Sequence, residues 1–346
     1  MNNNLNNQNN QNSKTVPISM CERGGCLAKV SGSDLIRLVN GAHLIAGDFE
    51  PVTTAENPED AAVVQIDDKT LLLSTDIGPL VGVDGYIAGK IAALHALSDI
   101  YVMGGIPTHA LVTFVISKTD SNLQAQAVLG GVFSACKSEG VEVSGGHTIK
   151  SEESLVGLSV LGKAPESGYI AKCSCESGDV LMVSKPIGTG IALRAVFHGM
   201  LGEEALEESI SIMTTSNKEA AQAAFSVSVH ALTDVTGFGL LGHLSEMLGS
   251  EHGADIFLSE VPILSSISQL SHIGIKTSFI LDNLEYTKRK HKVKLNISSI
   301  SELALVDPQT NGAVLVSVNE EKVSKLESYG FKKIGIVNDT KNIVVK

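Results

Sequence analysis

The sequence predicts an α/β protein of two domains, and three observations carry that reading. Its 346 residues exceed what one compact core usually serves. β-rich runs that end in glycine turns alternate with helically spaced apolar stretches in both halves of the chain. Aromatic residues make up 4% of the chain, Trp is absent and hydrophobic residues reach 43%, so the core must be built from Ala, Val, Leu and Ile, as α/β layers are.

In chain order, residues 1–15 are rich in Asn and nearly free of apolar side chains, and the expectation is a disordered tail. Residues 16–46 carry Gly24-Gly25-Cys26 and then a short helix at Asp34–Leu38, N-capped by Ser33. A glycine-rich stretch with little periodicity is expected to move and to close over a site. The first domain is expected over 47–165. In it Ala61–Ile66 and Thr70–Ser74, joined by the Asp67-Asp68 turn, read as a hairpin. Ile87, Ile91, Leu94 and Leu97 mark a helix over Gly85–Met103, stopped by Gly104-Gly105-Ile106-Pro107. A strand at Ala110–Ile116, a helix at Asn122–Glu139, a short strand at Val141–Ser144 and another at Leu155–Lys163 follow.

The polar stretch Ala164–Gly178 reads as the boundary, and the second domain is expected over 166–346. There Val180–Ser184 leads through Lys185-Pro186-Ile187-Gly188-Thr189-Gly190 into a helix. Leu232–Gly239 leads into a second, with Leu240, Leu241, Leu244, Met247 and Leu248 on one face. Gly312–Val318 and Lys333–Val337 are strand-like.

A formal charge of −12 argues against a nucleic-acid partner, which needs clustered Lys and Arg. A nucleotide is compatible with this charge where metal cations stand between carboxylates and phosphates. Cys21, Cys26, Cys136, Cys173 and Cys175 form an odd set without the spacing of a secreted scaffold. With no apolar run of about 18 residues and no signal-peptide pattern, the expectation is a cytoplasmic protein that does not enter a membrane.

Acidic residues stand where predicted elements meet loops: Glu59-Asp60, Asp76, Asp99 and Asp234. Carboxylates are hard oxygen ligands suited to Mg²⁺, although any one of these residues is equally a turn former or cap. Asp99 stands out, because in Leu97-Ser98-Asp99-Ile100-Tyr101 its charge lies among apolar residues and needs a partner or a metal. The Gly237-Phe238-Gly239 turn after Asp234 opens a helix whose N–H groups can receive a phosphate, or is a generic turn. Gly145-Gly146-His147 lets a ligand approach the backbone. Asp307-Pro308-Gln309-Thr310 is good turn chemistry. Cys26 lies three residues before Lys29, whose ammonium would favour the thiolate; an incidental thiol beside an incidental lysine fits as well. Cys173 and Cys175 lack the further ligands of a zinc site.

Taken in order, Gly-Gly-Cys26-Leu-Ala-Lys29, Glu59-Asp60-Ala-Ala-Val, Ser-Thr-Asp76, Ala-Leu-Ser-Asp99-Ile-Tyr-Val-Met-Gly-Gly, Ser-Gly-Gly-His147, Leu-Thr-Asp234-Val-Thr-Gly-Phe-Gly-Leu-Leu-Gly-His-Leu-Ser-Glu-Met and Asp307-Pro-Gln-Thr resemble the selenophosphate synthetase (selenide, water dikinase) family over residues 20–345. The Asp234 motif is the most specific of them. The resemblance implies a two-domain aminoimidazole ribonucleotide synthetase-like fold, α/β (α+β), with mixed sheets flanked by helices, and a homodimer joined through the first sheets. It also implies that ATP, selenide and water give selenophosphate, AMP and phosphate. Cys26 and Lys29 match the catalytic pair. Asp60, Asp99 and Asp234 match Mg²⁺ ligands, and Lys29, Asn57, Pro58, Glu59, Asp76, Asp99, Gly145, Gly146 and His147 match nucleotide contacts.

The chain departs from the family pattern at Ala28, where many members carry a second cysteine, at His95, where Asn is usual, and at Asp282, where Arg is expected. Ile77-Gly78 replaces an aromatic pair and Asn311-Gly312-Ala313 replaces Ser-Gly-Gly. The alternative reading is a diverged ATP-dependent kinase or synthetase that acts on another chalcogen or small-molecule acceptor.

Overall fold

The structure is a computed structural model that describes residues 30, 34–39, 42, 58–81, 84–270 and 278–346. Readings made on the Asn-rich tail, on the glycine-rich segment with Cys26, Ala28 and Lys29, on the Ser33 cap and on Asn57 lie outside these residues. The expected first helix is present as α1, residues 34–39.

The first sheet contains β1 (Ala62–Ile66), β2 (Lys69–Pro79), β3 (Ile106–Ser117), β4 (Glu142–Ser151) and β5 (Leu155–Lys163), in the order β1-β2-β5-β3-β4. Neighbouring strands are antiparallel except β3 and β4, which run parallel. A parallel pair needs a crossover, and α3 (Asn122–Glu139) supplies it, held at its start by a Ser121–Gln124 capping box and at its end by Gly140 at φ 78°. α2 (Gly85–Val102) starts at Asp84, whose side chain accepts from the Ile87 N–H. α2 and α3 pack over one sheet face through Leu94, Leu97, Ile100, Val128 and Val132 against Leu72, Val112, Phe114 and Leu158.

The second sheet has seven strands in the order β7-β10-β6-β11-β8-β12-β9. These are β6 (Val180–Val183), β7 (Ala231–Asp234), β8 (Gly253–Ile256), β9 (Lys292–Lys294), β10 (Val314–Val318), β11 (Lys332–Asn338) and β12 (Asn342–Val345). β6 and β10 are buried at every position, with Leu181 and Val183 in one core and Val180 and Met182 in another on the opposite face. This double burial explains their unbroken apolar sequence. α4 (Thr189–Phe197), α5 (Glu203–Met213), α6 (Lys218–Ser226), α7 (Gly239–Leu248) and α8 (Ser278–Lys290) surround the sheet.

α2 also joins the two units. Val102 enters the core of the second sheet, and the Asn217 amide donates to Ser98 Oγ at 2.8 Å and to the Gly312 carbonyl at 3.1 Å. A helix buried between two layers is apolar nearly all round, as its sequence is.

Several boundaries differ from expectation. β2 continues to Pro79, so Asp76 stands inside a strand and not after one. Ile106-Pro107 begins β3 and does not merely stop α2. β4 runs through Gly145-Gly146-His147, which sequence reading placed after the strand. The glycine at 146 has a packing reason, since a Cβ there would stand 2.1 Å from the Val112 carbonyl oxygen. Asp307 and Gln309 are buried and cap α4: the Gln309 side-chain oxygen accepts from the N–H groups of Gly188 and Thr189, and Asp307 accepts from the Ile191 N–H.

Candidate active site

Asp60 precedes β1, Asp76 lies on the α2-facing side of β2, Asp99 projects from α2 and Asp234 ends β7. All four line one cavity of about 650 Å³, together with Pro58, Glu59, Lys172, Thr236, His243 and Tyr286. The convergence that spacing alone could not supply is therefore present, and it draws on both sheets.

So many carboxylates in one buried place repel each other. Burial pushes the Asp99 carboxyl well above its ordinary range, and Asp76, Asp234 and Asp60 add to the rise while a hydrogen bond from Ser74 opposes it. Burial likewise raises Asp60 to about 6; Lys172 pulls it down and Asp234 pushes it up. Among the described residues, Asp60 Oδ2 and Asp234 Oδ2 are buried and have no hydrogen-bond partner. An orphaned buried carboxylate oxygen is costly. An all-oxygen donor set with orphaned oxygens fits a hard divalent cation.

Lys172 and Glu246 were not singled out from the sequence. The Lys172 ammonium lies 2.7 Å from both Asp60 Oδ1 and Glu246 Oε2, and its backbone N–H donates to Glu59 at 3.0 Å. Burial works against the charge on each partner, but the pairing wins, holding Lys172 protonated and Glu246 ionised. Tyr286 OH donates to Glu246 Oε1 at 2.7 Å, and Phe238 stacks on Tyr286 with ring centroids 4.7 Å apart. Glu246 is legible in hindsight, because it and His243 stand three apart on α7 and face the same way. Lys172 lies in the polar boundary stretch and carried no local signal.

Gly145, Gly146 and His147 are not among the residues that line the cavity. Asp76 pairs with Leu158, Leu158 with Val112, and Val112 with Gly146, so the glycine lies three strands away, about 14 Å at normal strand spacing. His147 is level with Ile77 and stands on the sheet face away from α2.

Two of the family departures meet. The Asn311 N–H donates to His95 Nδ1 at 3.2 Å, and His95 Nε2 stands 3.8 Å from Asp76 Oδ1. His95 and Asn311 thus form one contact between α2 and the loop before β10. Asp282 is exposed on α8 and does not line the cavity, whereas its neighbour Asn283 is buried and bonds the carbonyls of Gly237 and Val306.

Among the described residues no helix is long and apolar enough to cross a membrane. Residues 58–164 match the family model for the N-terminal domain of AIR synthase related proteins, and residues 176–346 match the model for the C-terminal domain. Among solved structures, the chain is similar to the HypE–HypF complex (TM-score 0.65, 18% identity, 89% of this chain and 95% of that one). It is also similar to AaThiL complexed with AMPPCP and TMP (TM-score 0.64, 19% identity, 95% of each); at these identities the likeness speaks to fold alone. Closer in sequence are proteins named selenide, water dikinase. That of Clostridium botulinum strain Alaska E43 is 35% identical over 96% of this chain and 100% of its own length. That of Campylobacter jejuni is 37% identical over 84% and 86%. On its two matched domains and this degree of identity across nearly its whole length, the chain belongs to the selenide, water dikinase family of AIR synthase related proteins.

Proposed function

We propose that the chain makes selenophosphate from selenide, ATP and water, releasing AMP and phosphate. The observation that carries the proposal is the meeting of Asp60, Asp76, Asp99 and Asp234 in one cavity. In this reading Asp60, Asp99 and Asp234 hold Mg²⁺, which when bound neutralises the phosphate charge of ATP. Asp76, Pro58 and Glu59 position the nucleotide with Asn57. Phosphoryl transfer depends on placement and charge more than on covalent help, and Lys29 adds a positive charge over the phosphates. Cys26 handles the selenium. The compartment is the cytoplasm.

The test is phosphorus NMR of the protein with ATP, Mg²⁺ and selenide under anaerobic conditions. Selenophosphate and AMP should appear together, and ADP as the end product would refute the dikinase reaction. Cys26→Ser is expected to lower selenide-dependent AMP formation by about 10²-fold or more with an unchanged melting point; full activity in that variant would remove Cys26 from the mechanism.

The chain acts as a homodimer in this proposal. Leu73, Ile77, Leu111 and Ile149 stand on the first sheet's face away from α2, each 45–51% exposed, an apolar surface of the kind that meets a partner. Joining two copies there puts His147 at the interface, where its nucleotide contact is made. Leu111→Glu is expected to halve the mass measured by sedimentation; an unchanged mass would move the interface elsewhere.

A further inference from the structure

Lys172 forms the one buried Lys–carboxylate pair in the cavity among the described residues, and it does so from a segment with no helix or strand. It is 4% exposed, and it joins Asp60, ahead of the first sheet, to Glu246 on α7. Each of these carboxylates is also held by another residue. Asp60 Oδ1 accepts from Thr233 Oγ1 at 3.0 Å, and Glu246 Oε1 accepts from Tyr286. The space the ammonium fills is thus walled by groups whose positions do not depend on the lysine. Asp60 Oδ2, on the other side of the same carboxylate, is left without a partner.

We propose that Lys172 is a tethered counter-ion, whose ammonium fills between Asp60 and Glu246 a place in the site that a free monovalent cation would otherwise take. The 2.7 Å distances to both oxygens suit an ammonium-sized ion, whereas Mg²⁺ draws its oxygens to about 2.0–2.1 Å. A covalent tether keeps this position filled at any salt concentration and pays no association entropy at each turnover. It also divides the labour at Asp60: Oδ1 is committed to the lysine and Oδ2 remains for the divalent ion. The inference rests on reading the aspartate cluster as a cation site, and not on the identity of the acceptor.

The test compares the full-length wild type, Lys172→Ala and Lys172→Gln by thermal unfolding without ATP or selenide. Each is measured in ammonium chloride and in tetramethylammonium chloride at equal ionic strength. Lys172→Ala leaves a cavity, and its midpoint should rise by roughly 3–6 °C in ammonium relative to the bulky ion as the free cation binds. The wild type should show the same midpoint in both salts. Lys172→Gln, whose amide fills the space without a charge, should be less stable than wild type and gain nothing from ammonium. If Lys172→Ala is unfolded in tetramethylammonium, refolding from urea in the two salts gives the same comparison. Equal behaviour of Lys172→Ala in both salts, failure to refold in either, or wild-type stability of Lys172→Gln would each overturn the proposal. As neither substrate is present, any of these results leaves the selenide reaction untouched.

Discussion

Asp99→Asn should abolish selenophosphate formation, by about 10³-fold or more, and at the same time raise the melting point of the metal-free protein. Both effects come from one cause. Asp99 sits on α2 with its carboxyl held well above the ordinary range by burial and by Asp76, Asp234 and Asp60. A carboxyl whose folded-state pKa is raised gives stability that is fully present below the unfolded value. That stability is lost as pH rises through the folded value. Metal-free wild-type protein should therefore lose stability as the pH rises from about 4, with Asp60, raised to about 6, contributing in the same direction. Asn keeps the shape, removes the charge and flattens this dependence. Added Mg²⁺ should stabilise wild type and leave the variant nearly unchanged. Calorimetry across pH with and without Mg²⁺ checks both halves, and a variant less stable than metal-free wild type would show that Asp99 is a structural residue.

A second large effect is expected where no chemistry occurs. Gly131→Ala should cost about 3 kcal/mol or more, because a Cβ on α3 at this position would stand 1.9 Å from the Tyr86 carbonyl oxygen and 2.8 Å from the Lys90 nitrogen on α2. Backbone cannot rotate out of the way as a side chain can, so the helices must separate, and α2 carries Asp99 with it. The adjacent Gly130 is the control. A Cβ there meets only the Tyr86 ring at 3.8 Å, and Gly130→Ala should stabilise by about 0.5–1 kcal/mol through helix propensity. Urea unfolding of the two variants separates the readings, and similar midpoints would refute the close helix approach.

These cases show what was legible in the sequence. The Ile87, Ile91, Leu94, Leu97 spacing gave α2 within a residue, and the Asp67-Asp68 turn gave the first hairpin, since local periodicity and turn chemistry act over neighbouring residues. Asp99 was conspicuous because a charge among apolar residues demands a partner. Lys172 was invisible, since its meaning comes from Glu246, which is close only in space. The strand read at Val141–Ser144 stops before Gly145 to His147 because glycine weakens strand propensity, whereas pairing with β3 carries it through them. The order of the seven-stranded sheet, with β12 between β8 and β9, is likewise a long-range choice that no local pattern encodes.

The burial of α2 between the two sheets has a consequence for how the enzyme opens. A helix that gives Asp99 to the site, His95 to the Asn311 loop and Ser98 to Asn217 leaves no seam along which the two sheets can part without stripping a core residue such as Val102. The framework of the active site therefore behaves as a single anvil.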